Sequence, residues 1–252
     1  MSLSGKTALV TGGGRGIGRA IAERLSAAGA RVVVTGRTRT EIDEVAQATG
    51  GLAITADLAE RSQVERLVGK LERSGRVDVL INNAGIADSA PFERTSDELW
   101  DRAMAINVTA AFLLCRALVP PMIAAGWGRV INVASNAGLT GYAYTTAYCA
   151  SKHAMVGLTR AIAVETARTP VTVNAVCPGW VRTRMADEAA RRIAAKTKRS
   201  EDDARAALEK MSPQQRMIEP EEVAHVVAML CAAEARGVHG QTLCIDGGQV
   251  MS

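Results

Sequence analysis

The sequence of 252 residues has few aromatic side chains: three Trp, three Tyr and two Phe. Proteins that bind single-stranded nucleic acid stack bases on such side chains, so their scarcity argues against that function. The net charge of +4 does not change this, because basic residues are interleaved with acids. The densest basic group favours a solvated helix face, with a weak docking surface for an acidic or phosphorylated carrier as the alternative. It comprises Arg191, Arg192, Lys196, Lys198 and Arg199, followed directly by Glu201, Asp202 and Asp203.

Long apolar runs and structural cysteine patterns are also missing. No run of about 18 apolar residues is present, so no membrane partner is expected. The start lacks a basic region followed by an apolar stretch, and we expect no secretory signal. Five scattered cysteines without metal-ligand spacing indicate reduced thiols, no metal site and a cytoplasmic location; they are Cys115, Cys149, Cys177, Cys231 and Cys244. No linker or repeat divides the chain, so residues 1–252 are interpreted as one domain.

Short β-branched runs alternate with longer segments of helical period, which is typical of parallel strands joined by crossover helices. The predicted strands are Thr7–Val10, Arg31–Thr35, Leu52–Thr55, Val79–Asn82, Arg129–Val133, Thr172–Val176 and Thr242–Ile245. The predicted helices are Gly16–Ala28, Arg39–Ala48, Ser62–Glu72, Ser96–Ala124, Ala147–Ala167 and Pro220–Cys231. The expected fold is therefore α/β: a Rossmann-like, doubly wound sheet of seven parallel strands with helices on both faces.

Glycines cluster directly after the first predicted strand, at the start of the first predicted helix. There they let the backbone turn tightly and approach a pyrophosphate, which the positive end of the helix attracts. A flexible turn is the alternative for an isolated glycine cluster, but the position between strand and helix favours dinucleotide binding. The predicted cofactor contacts in this loop are Gly12, Gly14, Arg15, Gly16, Ile17 and Gly18.

The ends of the following strands indicate which dinucleotide is bound. The second strand ends in Thr35-Gly36-Arg37, without the carboxylate that usually binds the adenosine 2′-hydroxyl of NAD. Arg37, supported by Arg15, is suited to a 2′-phosphate, so NADP(H) is favoured over NAD(H); alternatively, both arginines are exposed surface cations. Asp57 and Leu58 are expected near the adenine. Further contacts are expected at Asn83, Ala84 and Gly85; a structural role is preferred for Asn82 and is equally open for Asn83.

Tyr148 and Lys152 lie four residues apart, and Ser135 precedes them. On a helix this spacing places the phenol and the ammonium on one face, where the cation favours the phenolate and makes the tyrosine a better acid. A serine hydroxyl can hold the carbonyl oxygen that receives the proton. The tyrosine and lysine alone are typical of many amphipathic helices. Together with Ser135 and a dinucleotide site, they predict proton and hydride transfer at a carbonyl, since a non-catalytic NADP-binding regulatory protein would not need all three.

With these motifs in order, the whole chain resembles a short-chain dehydrogenase/reductase of the single-domain type, most closely the 3-oxoacyl-carrier-protein reductases and polyketide ketoreductases. The resemblance implies that Tyr148 exchanges the proton, that Ser135 orients the substrate oxygen, and that Lys152 also holds the nicotinamide ribose. It implies that the backbone carbonyl of Asn107 anchors a water of a proton relay. It further implies a homotetramer built through the two long helices, and cofactor contacts at Pro178, Gly179, Val181 and Thr183.

The long segment 183–217 is expected to decide which substrate is bound. Met185, Ala189 and Ile193 recur at helical spacing, which predicts an amphipathic lid helix over the site. Ser135, Met185, Tyr142 and Trp180 are the candidate pocket residues, with core packing as the alternative for the two aromatic side chains.

The expected substrate is a small ketone or secondary alcohol, preferably a 3-oxoacyl thioester or a polyketide-like ketone. The arginines by which bacterial fatty-acid reductases of this family dock the carrier protein are replaced here by Gly126 and Thr169. That departure weakens the case for a dedicated fatty-acid enzyme. The alternative function is an NAD-dependent dehydrogenase acting on a small or cyclic secondary alcohol.

Overall fold

Seven parallel strands form one sheet in the order β3-β2-β1-β4-β5-β6-β7 in the computed structural model, which describes residues 2–251. The strands are β1 Thr7–Thr11, β2 Arg31–Gly36, β3 Leu52–Thr55, β4 Val79–Asn82, β5 Gly128–Val133, β6 Val171–Pro178 and β7 Thr242–Ile245. Each begins and ends within two residues of its predicted bounds. The predicted Rossmann-like, doubly wound fold is confirmed.

Helices cover both faces of the sheet. They are α1 Gly16–Ala27, α2 Arg39–Thr49, α3 Arg61–Ser74, α4 Asp97–Met104, α5 Ala110–Ala124, α6 Thr146–Thr166, α7 Arg184–Thr197, α8 Glu201–Glu209 and α9 Pro220–Cys231. One core lies between the sheet and helices α1, α2 and α9, and a second lies on the opposite face beneath α3, α5 and α6. Because both faces are covered, β6 is buried along its whole length, including the polar side chains of Thr172 and Asn174.

The order of the strands reverses between β1 and its neighbour β4, which opens a crevice beyond the carboxyl ends of these strands. All pairings in the sheet are parallel. Every strand therefore ends at the same edge. The motifs identified in the sequence are brought together there: the glycine loop, Arg37, Asp57, Asn83, Ser135, Gly179 and Asp246 follow β1 to β7 in that order.

The helix predicted over Ser96–Ala124 is divided by a wider π turn at Ala105–Thr109, between α4 and α5. The side chain of Ser96 caps the first helix by accepting the backbone N–H of Leu99 at 3.3 Å. Single π turns inside α-helices occur mainly at functional sites, because they displace the backbone locally. Asn107 lies within this turn and is completely buried.

The combined helix Asp97–Ala124 is long and apolar enough, by length and composition, to span a membrane. However, 56% of its most apolar window is buried within the described part of the chain. Helix α5 contributes Leu113, Leu114 and Leu118 to the core beneath the sheet. Packing against the sheet thus accounts for much of its apolar character, and the absence of a membrane partner stays a prediction.

The segment after β6 contains two helices, α7 and α8, where the sequence predicted one amphipathic lid helix. Ala189 is buried between the two helices, Ile193 is partly buried there, and Met185 is exposed. Leu208 and Met217 close this small cluster from the other side. The second helix was missed because its apolar positions are mainly alanines, which give a weak periodic signal.

Candidate active site

Ser135 lies just beyond the end of β5 and is 8% exposed. Its side-chain oxygen accepts the backbone N–H of Ala137 at 3.1 Å, which starts a short 3-10 turn over Asn136–Gly138. The hydroxyl proton has two further acceptors nearby, the side-chain oxygen of Asn136 at 3.4 Å and the carbonyl of Pro178 at 3.5 Å. The hydroxyl is therefore held at the edge of the sheet by groups from two neighbouring strand ends.

Tyr148 and Lys152 lie on the first turns of α6, as predicted. Lys152 is 4% exposed and donates a hydrogen bond to the carbonyl of Val133, at the end of β5, at 2.9 Å. Its ammonium nitrogen lies 5.7 Å from the centre of the Tyr148 ring. Helix α6 is seated closely here, since a Cβ at Gly138 would lie 2.7 Å from the carbonyl oxygen of Lys152. The three predicted catalytic side chains thus converge at one strand end.

The pKa values of this group differ in part from the expectation. Burial raises the pKa of Tyr148 above its usual value, and the hydrogen bond with Ser135 counteracts this rise. The expected lowering by Lys152 is not observed, because Lys152, with a pKa of about 8, is already neutral at the higher pH where Tyr148 loses its proton. Burial also lowers the pKa of Lys152 to about 8. Tyr148 is therefore a protonated phenol near neutral pH, the form that an acid needs before it donates.

We expect kcat/KM for ketone reduction to fall as the pH rises through about 8, the pKa of Lys152. Below this pH the lysine is a cation that stabilises negative charge growing on Tyr148; above it the amine is neutral. The loss approaches about tenfold per pH unit. A Lys152→Arg variant keeps its charge at every accessible pH, so its residual activity should lack this decrease. A wild-type profile that is flat across this range would contradict the assignment.

Asn107 joins the loop after β4 to helix α6. Its side-chain oxygen accepts the N–H of Ile86 at 2.9 Å, and its NH2 donates to the carbonyl of Ile86 at 3.0 Å and to the hydroxyl of Ser151 at 2.9 Å. The hydroxyl of Ser151 in turn donates to the carbonyl of Tyr148 at 2.7 Å. The side chain therefore holds the catalytic helix in place, while the water-binding role of its backbone carbonyl stays a prediction.

The glycine loop fits a dinucleotide pyrophosphate. Gly12 and Gly16 have φ angles of +61° and +51°, which favour glycine, and a Cβ at Gly18 would overlap the carbonyl oxygen of Gly12. Arg15 precedes α1 without a side-chain cap on the first N–H groups of the helix, so these donors are available to a phosphate. Gly14 packs closely on α2, where a Cβ would lie 2.9 Å from that of Glu41, and Ile17 packs against the core.

The residues that follow β4 mainly hold this loop in shape. The NH2 of Asn83 donates to the carbonyls of Thr11 and Gly12 at 2.9 and 3.2 Å, so this group has a structural role, while a cofactor contact at Asn83 stays a prediction. The hydroxyl of Thr11 accepts the N–H groups of Asn83 and Ala84. A Cβ at Gly85 would lie 3.5 Å from the ammonium of Lys152, so the loop after β4 lies directly against the catalytic lysine.

Asn82 has the structural role that was preferred from the sequence. Its NH2 donates to the side-chain oxygen of Asn132 on β5 at 2.8 Å. The NH2 of Asn132 donates in turn to the hydroxyl of Thr159 on α6 at 2.8 Å. These amides tie β4, β5 and α6 together directly beneath the catalytic side chains.

The two arginines predicted to bind a 2′-phosphate differ in their surroundings. Arg37 is exposed immediately after β2, and no carboxylate within residues 2–251 forms an ion pair with it. Arg15 pairs with Glu41 at 3.2 Å. The same carboxylate lies 3.8 Å from Arg184, at the start of α7. Arg37 is therefore the more available of the two cations.

Two predicted cofactor contacts have side chains in the core. Leu58 is 6% exposed and packs with the residues beneath β1 and β2, while Val181 is 6% exposed and pairs with Ile218. Only the backbone of either residue is placed to reach a cofactor. The oxygen Oδ1 of Asp57 accepts the N–H of Ala59 at 3.0 Å and stabilises its own turn.

The turn expected against the nicotinamide begins where β6 ends at Pro178. The N–H of Gly179 donates to the carbonyl of Ile245 at 3.0 Å, which fixes the turn to the end of β7. The methyl group of Thr183 lies against Gly16, since a Cβ there would be 3.1 Å from it. The start of α7 is therefore next to the glycine loop, as contacts with the nicotinamide and the pyrophosphate of one cofactor require.

The candidate pocket residues separate into two groups. Burial and the nearby Asp246, Cys149 and Tyr148 raise the pKa of Tyr142 to about 12, and its side chain is half-buried. Trp180 packs against the cluster between α7 and α8, so the core alternative holds for this side chain. Met185 is 41% exposed on the outer part of α7.

Three residues of the site were not predicted from the sequence. Asn136 is 4% exposed beside Ser135, and its NH2 donates to Gln249 at 3.0 Å and lies 3.5 Å from the carboxylate of Asp246. Asp246 follows β7, and its position at a strand end was a signal that could have identified it. Gln249 gave no local signal, because its contact is with a residue 113 positions earlier.

Comparison with known proteins agrees with this geometry. A family model described as short chain dehydrogenase matches residues 6–194. The chain is 40% identical to a D-beta-hydroxybutyrate dehydrogenase of Cupriavidus necator, over 98% of this chain and 99% of the relative. It is 34% identical to the 3-oxoacyl-(acyl-carrier-protein) reductase FabG of Escherichia coli, over the whole of both. A variant of actinorhodin polyketide ketoreductase, crystallised with NADPH, is 38% identical and superposes with a TM-score of 0.92 over 99% of both chains.

Proposed function

The chain belongs to the short-chain dehydrogenase family and is an oxidoreductase, and from that premise we propose that it is an NADP(H)-dependent ketoreductase acting on a 3-oxoacyl thioester or a polyketide-like ketone. The observation that carries this proposal is the convergence of Ser135, Tyr148 and Lys152 at the end of β5, beside the loop from β1. The chain fits a nicotinamide cofactor, which when bound supplies the hydride.

The protein's own groups handle the proton and the charge. Tyr148 donates its proton to the oxygen of the ketone, or removes it from the alcohol in the reverse direction. The hydroxyl of Ser135 gives that oxygen a second hydrogen bond, which strengthens as negative charge develops. The cation of Lys152 then stabilises the phenolate left on Tyr148. Since Ser135 and Lys152 are buried and Tyr148 is partly buried, their electrostatic effects are larger than they would be in water.

Preference for NADP(H) is supported by the free guanidinium of Arg37 after β2. The strand ends in Gly36, so no side-chain carboxylate is placed there to repel a phosphate. The similar ketoreductase structure contains NADPH. Arg37 forms no ion pair within residues 2–251, whereas the 2′-phosphate of NADP(H) would accept a charge-assisted hydrogen bond from it.

A second candidate substrate is a small 3-hydroxy acid, with oxidation as the direction of interest. Two relatives named D-beta-hydroxybutyrate dehydrogenase are 40% and 36% identical to this chain. In addition, Arg192 extends from α7 to the carbonyl of Ala87, at 3.2 Å, two residues beyond Gly85. This guanidinium lies near the loop after β4, which Asn107 holds beside the catalytic helix. A substrate carboxylate bound there would accept a charge-assisted hydrogen bond from it.

The substrates of both candidate functions have two oxygenated carbons separated by one carbon. A panel of acetoacetyl-CoA, carrier-bound 3-oxoacyl thioesters, acetoacetate, 3-hydroxybutyrate, cyclic ketones and simple secondary alcohols, each assayed with both cofactors, distinguishes them. The proposal predicts the highest kcat/KM for a 3-oxoacyl thioester with NADPH. A maximum for 3-hydroxybutyrate with NAD supports the second candidate, and no turnover of any ketone or alcohol overturns both.

We also propose that the protein is a homotetramer assembled through α5 and α6. Phe112 on α5 and Val164 on α6 have 40% and 78% of their surfaces exposed, although both are large apolar side chains. The exposed face of α6 before Val164 also contains Gly157 and Ala161, which allow close approach of a second helix. Sedimentation equilibrium at micromolar concentration should give four chains; a monomer there would contradict the proposal.

A further inference from the structure

The chain after β7 forms a turn around a buried carboxylate. Asp246 is 4% exposed, and one of its oxygens accepts the N–H groups of Gly248 and Gln249 at 3.1 and 3.2 Å. The other oxygen accepts the N–H of Val250 at 2.9 Å. Since the carboxylate lies at the carboxyl edge of the sheet, the turn and its side chains form one wall of the active-site crevice.

This carboxylate determines how the neighbouring amides are oriented. The NH2 of Asn136 lies 3.5 Å from Asp246, and the reverse orientation would place two acceptor oxygens together. The same NH2 donates to Gln249 at 3.0 Å, so the atom of Gln249 facing it must be the oxygen. The NH2 group of Gln249 is then left as a donor, and no residue within 2–251 accepts a hydrogen bond from it.

The amide of Gln249 lies close to the reacting groups. Its oxygen would be 3.4 Å from a Cβ at Gly179, the residue after Pro178 in the turn expected against the nicotinamide. Asn136, to which it is bonded, follows Ser135 directly, and the side-chain oxygen of Asn136 is 3.4 Å from the hydroxyl of Ser135. Gln249 is half-buried, and the single side chain of Asn136 connects it to the hydroxyl of Ser135.

We propose that Gln249 is a specificity-determining residue that donates a hydrogen bond to the second oxygen of a substrate with two oxygenated carbons in a 1,3 relation. Ser135 and Tyr148 hold the oxygen that reacts, while Gln249 holds the oxygen of the thioester, ester or acid group. Asp246 and Asn136 are positioning residues, because they fix which face of the Gln249 amide is free. This inference rests on the proposed ketoreductase function.

The test compares ethyl acetoacetate with 2-heptanone, which has the same chain length but lacks the ester oxygens. For a Gln249→Met variant, which preserves side-chain length without adding charge, the ratio of the two kcat/KM values should fall about 3- to 10-fold relative to wild type, the effect of one neutral hydrogen bond. The change should appear mainly in KM for ethyl acetoacetate. Gln241→Met is the matched control. Gln241 is an exposed glutamine that precedes β7, at the end of the strand opposite to Gln249, so this variant should leave the ratio unchanged.

Equal losses for the two ketones, with a lower melting temperature, would show that Gln249 is only structural and would overturn the inference. An unchanged ratio would overturn it as well. Failure of the proposed function is a separate result, namely that wild-type protein reduces neither ketone. In that case calorimetry tests the inference. It measures the dissociation constant of each compound from the protein with oxidised cofactor bound. Selective weakening for ethyl acetoacetate in Gln249→Met supports the inference, and no selective weakening, or no binding to wild type, overturns it.

Discussion

Replacing Tyr148 with phenylalanine is expected to lower kcat for ketone reduction by about a hundred- to ten-thousand-fold, the usual contribution of a positioned general acid. The variant loses a single oxygen, and the ring that packs beside Lys152 stays in place. The substrate oxygen then keeps the hydrogen bond of Ser135 but has no proton donor. Cofactor affinity, measured by the change in NADPH fluorescence on binding, should be close to that of wild type.

The matched control for this variant is Tyr144→Phe. Tyr144 lies in the loop just before α6; its side chain is 64% exposed, and its backbone carbonyl accepts the N–H of Ala90. The control should retain wild-type kcat. If Tyr148→Phe retained near-normal turnover, the assignment of the proton donor would be wrong.

Replacing Arg37 with alanine is expected to lower kcat/KM for NADPH by about 10- to 100-fold, the effect of a hydrogen bond between charged groups. NADH has no 2′-phosphate, so its kcat/KM should change little. Arg15 cannot fully compensate, because it is engaged with Glu41 at 3.2 Å. Initial rates measured with both cofactors for wild type and variant give the comparison directly.

Arg39→Ala is the control for charge alone. Arg39 is two residues away at the start of α2, is similarly exposed, and is paired with Asp43 at 2.6 Å. Its removal changes the net charge by the same amount, but it should affect NADPH and NADH equally. A loss of NADPH preference in Arg39→Ala, or none in Arg37→Ala, would contradict the choice of Arg37 as the phosphate ligand.

Local sequence patterns were sufficient to predict the sheet and the position of the glycine loop. The β-branched runs at Arg31–Gly36 and Val171–Pro178 could be predicted as buried strands because their residue types and short length are visible in the sequence itself. The glycines of the loop follow from backbone geometry that only glycine adopts easily, as the φ of +61° at Gly12 shows. Such features need no knowledge of tertiary contacts.

The features that were missed depend on contacts between distant residues. The π turn around Asn107 occurs inside a sequence with ordinary helical period, and it is accompanied by hydrogen bonds that the NH2 of Asn107 donates to Ile86 and Ser151. The pKa of Tyr148 depends on burial, which the spacing to Lys152 does not reveal. Likewise, Asn136 and Gln249 meet only because the ends of β5 and β7 lie at one edge of the sheet.

The central claim is that this chain transfers a hydride from a nicotinamide cofactor to a ketone carbon, with Tyr148 supplying the proton. The most direct test is reduction of ethyl acetoacetate or acetoacetyl-CoA with NADPH that carries deuterium at C4 on one face of the ring, followed by mass spectrometry of the product. One of the two labelled forms should give an alcohol with one deuterium on the former carbonyl carbon, and the Tyr148→Phe variant should form at least about a hundredfold less of it in the same time. Product without deuterium from both labelled forms, or no alcohol at all, would contradict it.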